Sequence, residues 1–150
     1  MEERRMKRVE DSYTTQVQLL TQANLNGFNR LFGGKLMSWM DVVAGVTARR
    51  HAERNVTTVR VEELEFKAPA RANDTLMITG HVCHVGHTSM DVCVHVYLEE
   101  LNGERRLINR AHFLMVALDE NEKPTPVPGL ILETREQEEE WAAAELRRKR

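Results

Sequence analysis

Cysteine is scarce in this sequence: there are two in 150 residues, Cys83 and Cys93, both inside alternating apolar segments. Two such residues do not make a disulfide framework, and they fit a reducing compartment. No apolar run approaches the roughly 18 residues that a membrane span needs. The charged N-terminus lacks the apolar stretch of a secretory signal. A soluble cytoplasmic protein with no membrane partner is expected. No single sign of charge dominates, since the formal net charge is −2, whereas nucleic-acid binding wants a basic face. Basic runs open and close the chain, as Arg4, Arg5, Lys7 and Arg8 and as Arg147, Arg148, Lys149 and Arg150, and these read as solvated tails. Gly-x-Gly-x-x-Gly and Walker loops do not occur, nor does Gly-x-Ser-x-Gly, which removes support for redox, nucleotide-hydrolysing and serine-nucleophile chemistry. His81, Cys83, His84 and His87 look superficially like metal ligands. On a strand, however, His81 and Cys83 point to one face and His84 to the other, so no metal is expected. Internal repeats and low-complexity linkers are absent, and the length is that of one domain.

What is present has a simple order. Residues 1 to about 9 are polar and expected to be frayed or helical. Ser12 to Leu20 reads as a strand from its β-branched and aromatic residues. A loop rich in Asn and Gly follows, then a helix from about Gly34 to about Ala52. Leu36, Met37, Met40, Val43, Ala44 and Thr47 recur on it at helical spacing. Strands are predicted over 56–66, 75–85, 89–99 and 106–118, with Asn102-Gly103 as a hairpin turn. Met90, Val92, Val94, Val96 and Leu98 should face one way, and Asp91, Cys93, His95, Tyr97 and Glu99 the other. Pro124, Pro126 and Pro128 prevent regular pairing. A last helix begins near Arg135, with Thr134 and Gln137 as a capping box and Trp141, Ala142 and Leu146 as its apolar stripe. This predicts an α+β layer architecture: four antiparallel strands joined in series, and one sheet of about five strands wrapping one long apolar helix. The other sheet face is left uncovered in this reading. Cys93, His95 and Tyr97 are less polar than a wet face normally is, which favours subunit contact there.

The stretch from Asn26 to Asp41 carries the chemistry. Gly33 and Gly34 stand at the mouth of the buried helix, where free N–H groups aim outward at the positive end of the helix dipole. Asp41 lies one turn after Met37, beside the apolar stripe, so partial desolvation is expected. A glycine pair can also be only a tight loop, and an aspartate on a helix flank is often solvated or paired. Together, amide donors and an acid suit polarising a carbonyl and activating water.

These residues resemble a known family. Asn26, Phe32-Gly33-Gly34-Lys35-Leu36-Met37, Trp39-Met40-Asp41 and Ala44-Gly45 look like the hotdog-fold acyl-coenzyme A thioesterases. So do Val56 to Phe66 with Pro69, Gly86-His87-Thr88-Ser89-Met90, Phe113 with Val116 to Asp119, and Lys123 to Pro128. The likeness covers about residues 12 to 130. It implies one hotdog acyl-CoA hydrolase domain over 1–131 and a helical tail over 132–150 outside it. It further implies hydrolysis of acyl-CoA to a free acid and coenzyme A, with no cofactor beyond the coenzyme A of the substrate. Subunits would pair edge to edge into one continuous sheet, with dimers assembling as trimers. The active site would lie between subunits, with Asp41 as general base from one and Asn26 from the other. Gly33 and Gly34 would bind the thioester oxygen. Coenzyme A would lie on Thr58-Val59-Arg60 and His87-Thr88-Ser89. Three positions depart from the family pattern. Gly27 replaces a usual Pro or His, Asn29 a common Gly, and Val42 an acidic residue. Asn29 can keep the left-handed turn. A non-catalytic acyl-CoA sensor is the alternative reading, and Asn26 with Asp41 argues against it. A hotdog dehydratase would want a His beside the Asp, and none stands in this stretch.

Overall fold

The computed structural model describes residues 3–149; Met1, Glu2 and Arg150, part of the two terminal segments considered above, lie outside them. The chain runs β1 (Met6–Arg8), β2 (Thr14–Leu19), α1 (Gly33–Ala52), β3 (Asn55–Phe66), β4 (Thr75–Val85), β5 (Ser89–Glu99), β6 (Arg105–Leu118), β7 (Gly129–Ile131) and α2 (Arg135–Arg148). A short 3-10 turn, Val9–Ser12, follows β1. Instead of fraying, the N-terminal segment pairs in parallel with β7, Met6 opposite Gly129. The prolines before β7 end the regular sheet, and β7 starts immediately after the last of them.

The five-stranded sheet has the order β2-β4-β5-β6-β3. β4, β5 and β6 form an antiparallel meander. β3 pairs with β6 and not with β4, which corrects the expectation of strands joined in series. The residues between β3 and β4 contain Pro69 and no tight hairpin turn. They cross the end of the sheet instead, held by Leu31 N–H donating to the Ala70 carbonyl at 2.7 Å and Lys67 N–H to that of Ile108 at 2.8 Å.

α1 buries Leu36, Met40, Val43, Ala44, Thr47, Ala48, His51 and Ala52 against the concave sheet face. The sheet supplies Leu76, Ile78, Val82, Met90, Val92, Val94, Val96, Phe113 and Met115. Gly80 sets the spacing: a Cβ there would stand 2.6 Å from Thr47 Oγ1 and 2.9 Å from Val43 Cγ1. Only a glycine lets the helix lie this close to β4. At the helix end, Lys7 Nζ donates to the Arg50 carbonyl, and His51 Nε2 donates to the Pro128 carbonyl at 2.8 Å.

The outer face is not bare. α2 lies over β4 and β5, where Trp141 stacks on His84 with ring centroids 4.0 Å apart. Ala144 closes over Cys83 and Cys93. Among its apolar stripe as read from sequence, Ala142 and Leu146 are exposed. Arg147, read as part of a solvated tail, is 8% exposed and bonds Asp91 at 2.8 Å. A β-bulge between Val82 and His84 turns both Cys83 and His84 toward α2, which overturns the strict alternation assumed for that strand.

Candidate active site

α1 begins at Gly33 with no side-chain cap, since Phe32 occupies the N-cap position. The carbonyl of Phe32 accepts from Lys35 and Leu36. The N–H groups of Gly33 and Gly34 find no partner among the described residues and face outward at the positive helix end. Nothing lies within 4 Å of a Cβ built on Gly33, whereas one on Gly34 would meet the Phe32 ring.

Asn26 shapes the loop before the helix. Its Oδ1 accepts from Phe28 N–H at 2.8 Å and Arg30 N–H at 3.3 Å. Its own N–H donates to the Arg30 carbonyl at 2.8 Å. Asn29 adopts φ 58°, the left-handed turn that asparagine tolerates. The Nδ2 of Asn26 is left without a partner among the described residues. Asn26, Gly33, Leu36, Phe66 and Ile108 help line one cavity of about 300 Å³.

Asp41 sits elsewhere. It lies eight positions beyond Gly33, about 12 Å along the helix axis. Its Oδ1 accepts a 2.7 Å hydrogen bond from Thr58 Oγ1 on β3, and its Oδ2 has no partner among the described residues. The sequence places Asp41 in a partly desolvated position, yet it is exposed in the single chain. The reason is that its side of α1 overhangs β3, the last strand of the sheet, and no described strand pairs beyond that edge. One chain therefore does not bring Asp41 and Asn26 together.

Thr58 is the predicted residue that the structure ties most directly to the acid. Val59 is the extra residue of a β-bulge between Thr58 and Arg60 and is 56% exposed. Arg60 bonds Glu62 at 2.9 Å. Gly86, His87 and Thr88 form the β4–β5 turn, and Ser89 opens β5. The His87 carbonyl accepts from Val127 N–H, and that of Thr88 from Ala117 N–H. Arg148 donates to Ser89 Oγ at 3.0 Å. Ser89 is in register with Val116 of β6, and Val116 with Thr57 of β3. The two predicted coenzyme A segments thus share one end of the sheet, two strand spacings or about 10 Å apart. Apolar side chains stand exposed next to each site residue: Phe28 and Phe32 by the loop, Val42 after Asp41, Val59 after Thr58.

Sequence reasoning missed the ionic group beneath α2. Asp91 Oδ1 is 3.0 Å from His112 Nδ1, and Asp91 Oδ2 is 2.8 Å from Arg147 Nη2. Burial raises the Asp91 carboxyl, but His112 and Arg147 outweigh it and hold the group at about 2. The signal was an aspartate inside the otherwise apolar alternation of β5.

The family model of the thioesterase superfamily matches residues 28–103. The chain belongs to the thioesterase superfamily. Its fold is the hotdog fold, one antiparallel sheet around one helix. It is 42% identical over 113 residues to the uncharacterized acyl-CoA thioester hydrolase YkhA of Bacillus subtilis, an alignment covering 75% of this chain and 66% of that protein. It spans only 24% of the mouse acyl-coenzyme A thioesterase 11, at 30% identity over 93% of this chain. A crystal structure of an apo-hexameric acyl-CoA thioesterase superimposes with a TM-score of 0.93 at 36% identity, over 97% of this chain and 94% of that one. The acyl-CoA hydrolase of Staphylococcus aureus, solved with butyryl coenzyme A, coenzyme A and coenzyme A disulfide, gives 0.91 at 28% identity, over 96% and 88%. Among the described residues of this thioesterase-superfamily chain, no helix is long and apolar enough to cross a membrane.

Proposed function

We propose that this chain hydrolyses acyl-CoA thioesters to a carboxylic acid and coenzyme A, in a site completed by two subunits. The observation that carries this reading is the Thr58–Asp41 hydrogen bond. It fixes one oxygen of a surface carboxylate and leaves the other free to take a proton from water. In the proposed step, water adds to the thioester carbonyl as its proton passes to Asp41 Oδ2. The N–H groups of Gly33 and Gly34 receive the oxyanion, at about 3 to 4 kcal/mol per well-placed donor. The carbon–sulfur bond then breaks, and the proton on Asp41 goes to the leaving thiolate. Asn26, with its Nδ2 unpaired, positions the water or the carbonyl.

The roughly 12 Å between Asp41 and the loop along one helix is the reason for a second subunit. A two-fold pairing through the open edge of β3 turns each loop toward the other chain's Asp41. It also covers the exposed Phe28, Phe32, Val42 and Val59. The Staphylococcus aureus hydrolase was also solved with alanine in place of an asparagine, an aspartate and a threonine. Those three stand at the same sequence separations as Asn26, Asp41 and Thr58, which supports carrying the roles over. Thr58-Val59-Arg60 and His87-Thr88-Ser89 are proposed to hold coenzyme A. Solved relatives described as hexameric support a trimer of dimers. No cofactor enters this chemistry. Two free, buried cysteines support a cytoplasmic setting.

The test is thiol release from acyl-CoA esters of graded chain length, wild type beside Asp41→Ala. Turnover in the wild type and at least a thousandfold loss in the variant, with an unchanged circular dichroism spectrum, is expected. Binding without turnover in the wild type would replace hydrolysis by acyl-CoA sensing.

A further inference from the structure

On the sheet face away from α1, β4 and β5 present a group of metal-binding donors. His81 and Cys93 are direct cross-strand partners, and His95 follows Cys93 by one alternation on the same face. The donor atoms of the three all lie within 4.8 Å of one another. Cys93 Sγ is 3.6 Å from His95 Nε2, and the His81 and His95 rings are 6.1 Å apart between centroids. With bonds of about 2.3 Å to sulfur and 2.0 to 2.1 Å to nitrogen, a tetrahedral zinc ion holds such ligands about 3.6 Å apart. Cys93 and His95 already have that span.

Glu140 of α2 stands 2.6 Å from His81 Nε2. The contact engages Nε2 and leaves Nδ1 as the ring atom open to a metal, as carboxylates do when they orient an imidazole ligand. Cys83, Asp91 and His112 make a second close trio, but the Arg147 guanidinium is 2.8 Å from Asp91 and 3.1 Å from His112. A fixed cation already fills that place. No lysine or arginine among the described residues bonds His81, Cys93 or His95, and Arg110, opposite His95, turns to Glu65 at 3.3 Å. Two surface cavities reach the first trio: one of about 550 Å³ at His81 and Glu140, and one of about 340 Å³ at Cys93, His95 and Glu140.

We propose that His81, Cys93 and His95 bind one divalent transition-metal ion of zinc's kind per chain, with Glu140 orienting His81 and water completing the tetrahedron. The mixed nitrogen and thiolate set selects zinc or cobalt over magnesium or calcium. The ion clamps β4 to β5 and, through His81 and Glu140, holds α2 on the sheet. It is a structural site on the face opposite α1.

Cobalt(II) titration of chelator-stripped, untagged protein tests this. One equivalent per chain is expected, with the visible bands of tetrahedral cobalt and a thiolate-to-cobalt charge-transfer band in the near ultraviolet. Cys93→Ser should abolish the charge-transfer band, and Cys83→Ser should leave it intact. His95→Gln should weaken binding at least as much as the about 10- to 100-fold expected of Glu140→Gln, which keeps the bands. Zinc should raise the melting temperature of the wild type and not of Cys93→Ser. Absence of tetrahedral cobalt bands in the wild type overturns the proposal, as does a thiolate band that survives Cys93→Ser. If Cys93→Ser does not fold, the wild-type titration and His95→Gln decide the matter alone.

Discussion

At the scale of single residues, the acid is held by one hydroxyl. Thr58→Val keeps the shape of the side chain and removes its bond to Asp41. A hydrogen bond to a charged group is worth about 1.5 to 3 kcal/mol, so kcat should fall about 10- to 100-fold. KM should change less, because the hydroxyl bonds Asp41 and the substitution keeps the backbone of the segment proposed to hold coenzyme A. Thr58→Ser should recover most of the rate; steady-state kinetics on both variants check this, and an unchanged kcat in Thr58→Val refutes the positioning role. Asn26 and Asp41 stand out in the sequence as candidates, because each belongs to a local pattern that resembles the family's. The link from Thr58 to Asp41 could not. It spans 17 positions and exists only because β3 lies beside α1. Likewise the outward turn of His84 depends on a bulge that no composition announces.

At the scale of elements, the central helix and the main strands were readable because their apolar residues keep strict periods of 3.6 and 2. The predicted 75–85 and 89–99 strands coincide with β4 and β5. α2 was harder, because it docks by charge. Its inward face is Glu140, Trp141, Ala144, Glu145 and Arg147, not a hydrophobic stripe. Removing Arg147 leaves Asp91 buried with one partner fewer, so Arg147→Ala should lose about 3 to 5 kcal/mol in urea unfolding. The pH dependence has a definite sign. The Asp91 carboxyl is depressed from 3.8 to about 2 in the folded chain, so its contribution of about 2 kcal/mol is complete above about pH 4. It fades as the pH falls toward 2. The stability gap between wild type and Asp91→Asn should therefore be widest at neutral pH and narrow between pH 4 and 2, as read by urea midpoints.

At the scale of the whole molecule, the proposed division of the site between chains makes a prediction about mixtures. Asp41→Ala and Asn26→Ala are each expected to be inactive. Unfolded together and refolded as mixed oligomers, they should recover about a quarter of wild-type turnover, the share of sites that draw an intact residue from each side. No recovery would place the whole site in one chain. Oligomer size by light scattering belongs with this experiment. The sequence suggested the proposed edge-to-edge pairing only through family likeness, since an open strand looks the same in a sequence whether or not another chain covers it. The short ladder between β1 and β7 bears on time as well as place. Arg4 reaches Val127, 123 positions away, and closing a loop of that length takes roughly 4 kcal/mol of chain entropy. Three residue pairs cannot recover that before the sheet exists. During synthesis, then, β1 emerges long before β7 but is fixed only after it, and it stays accessible to chaperones and proteases until Ile131 has left the exit tunnel.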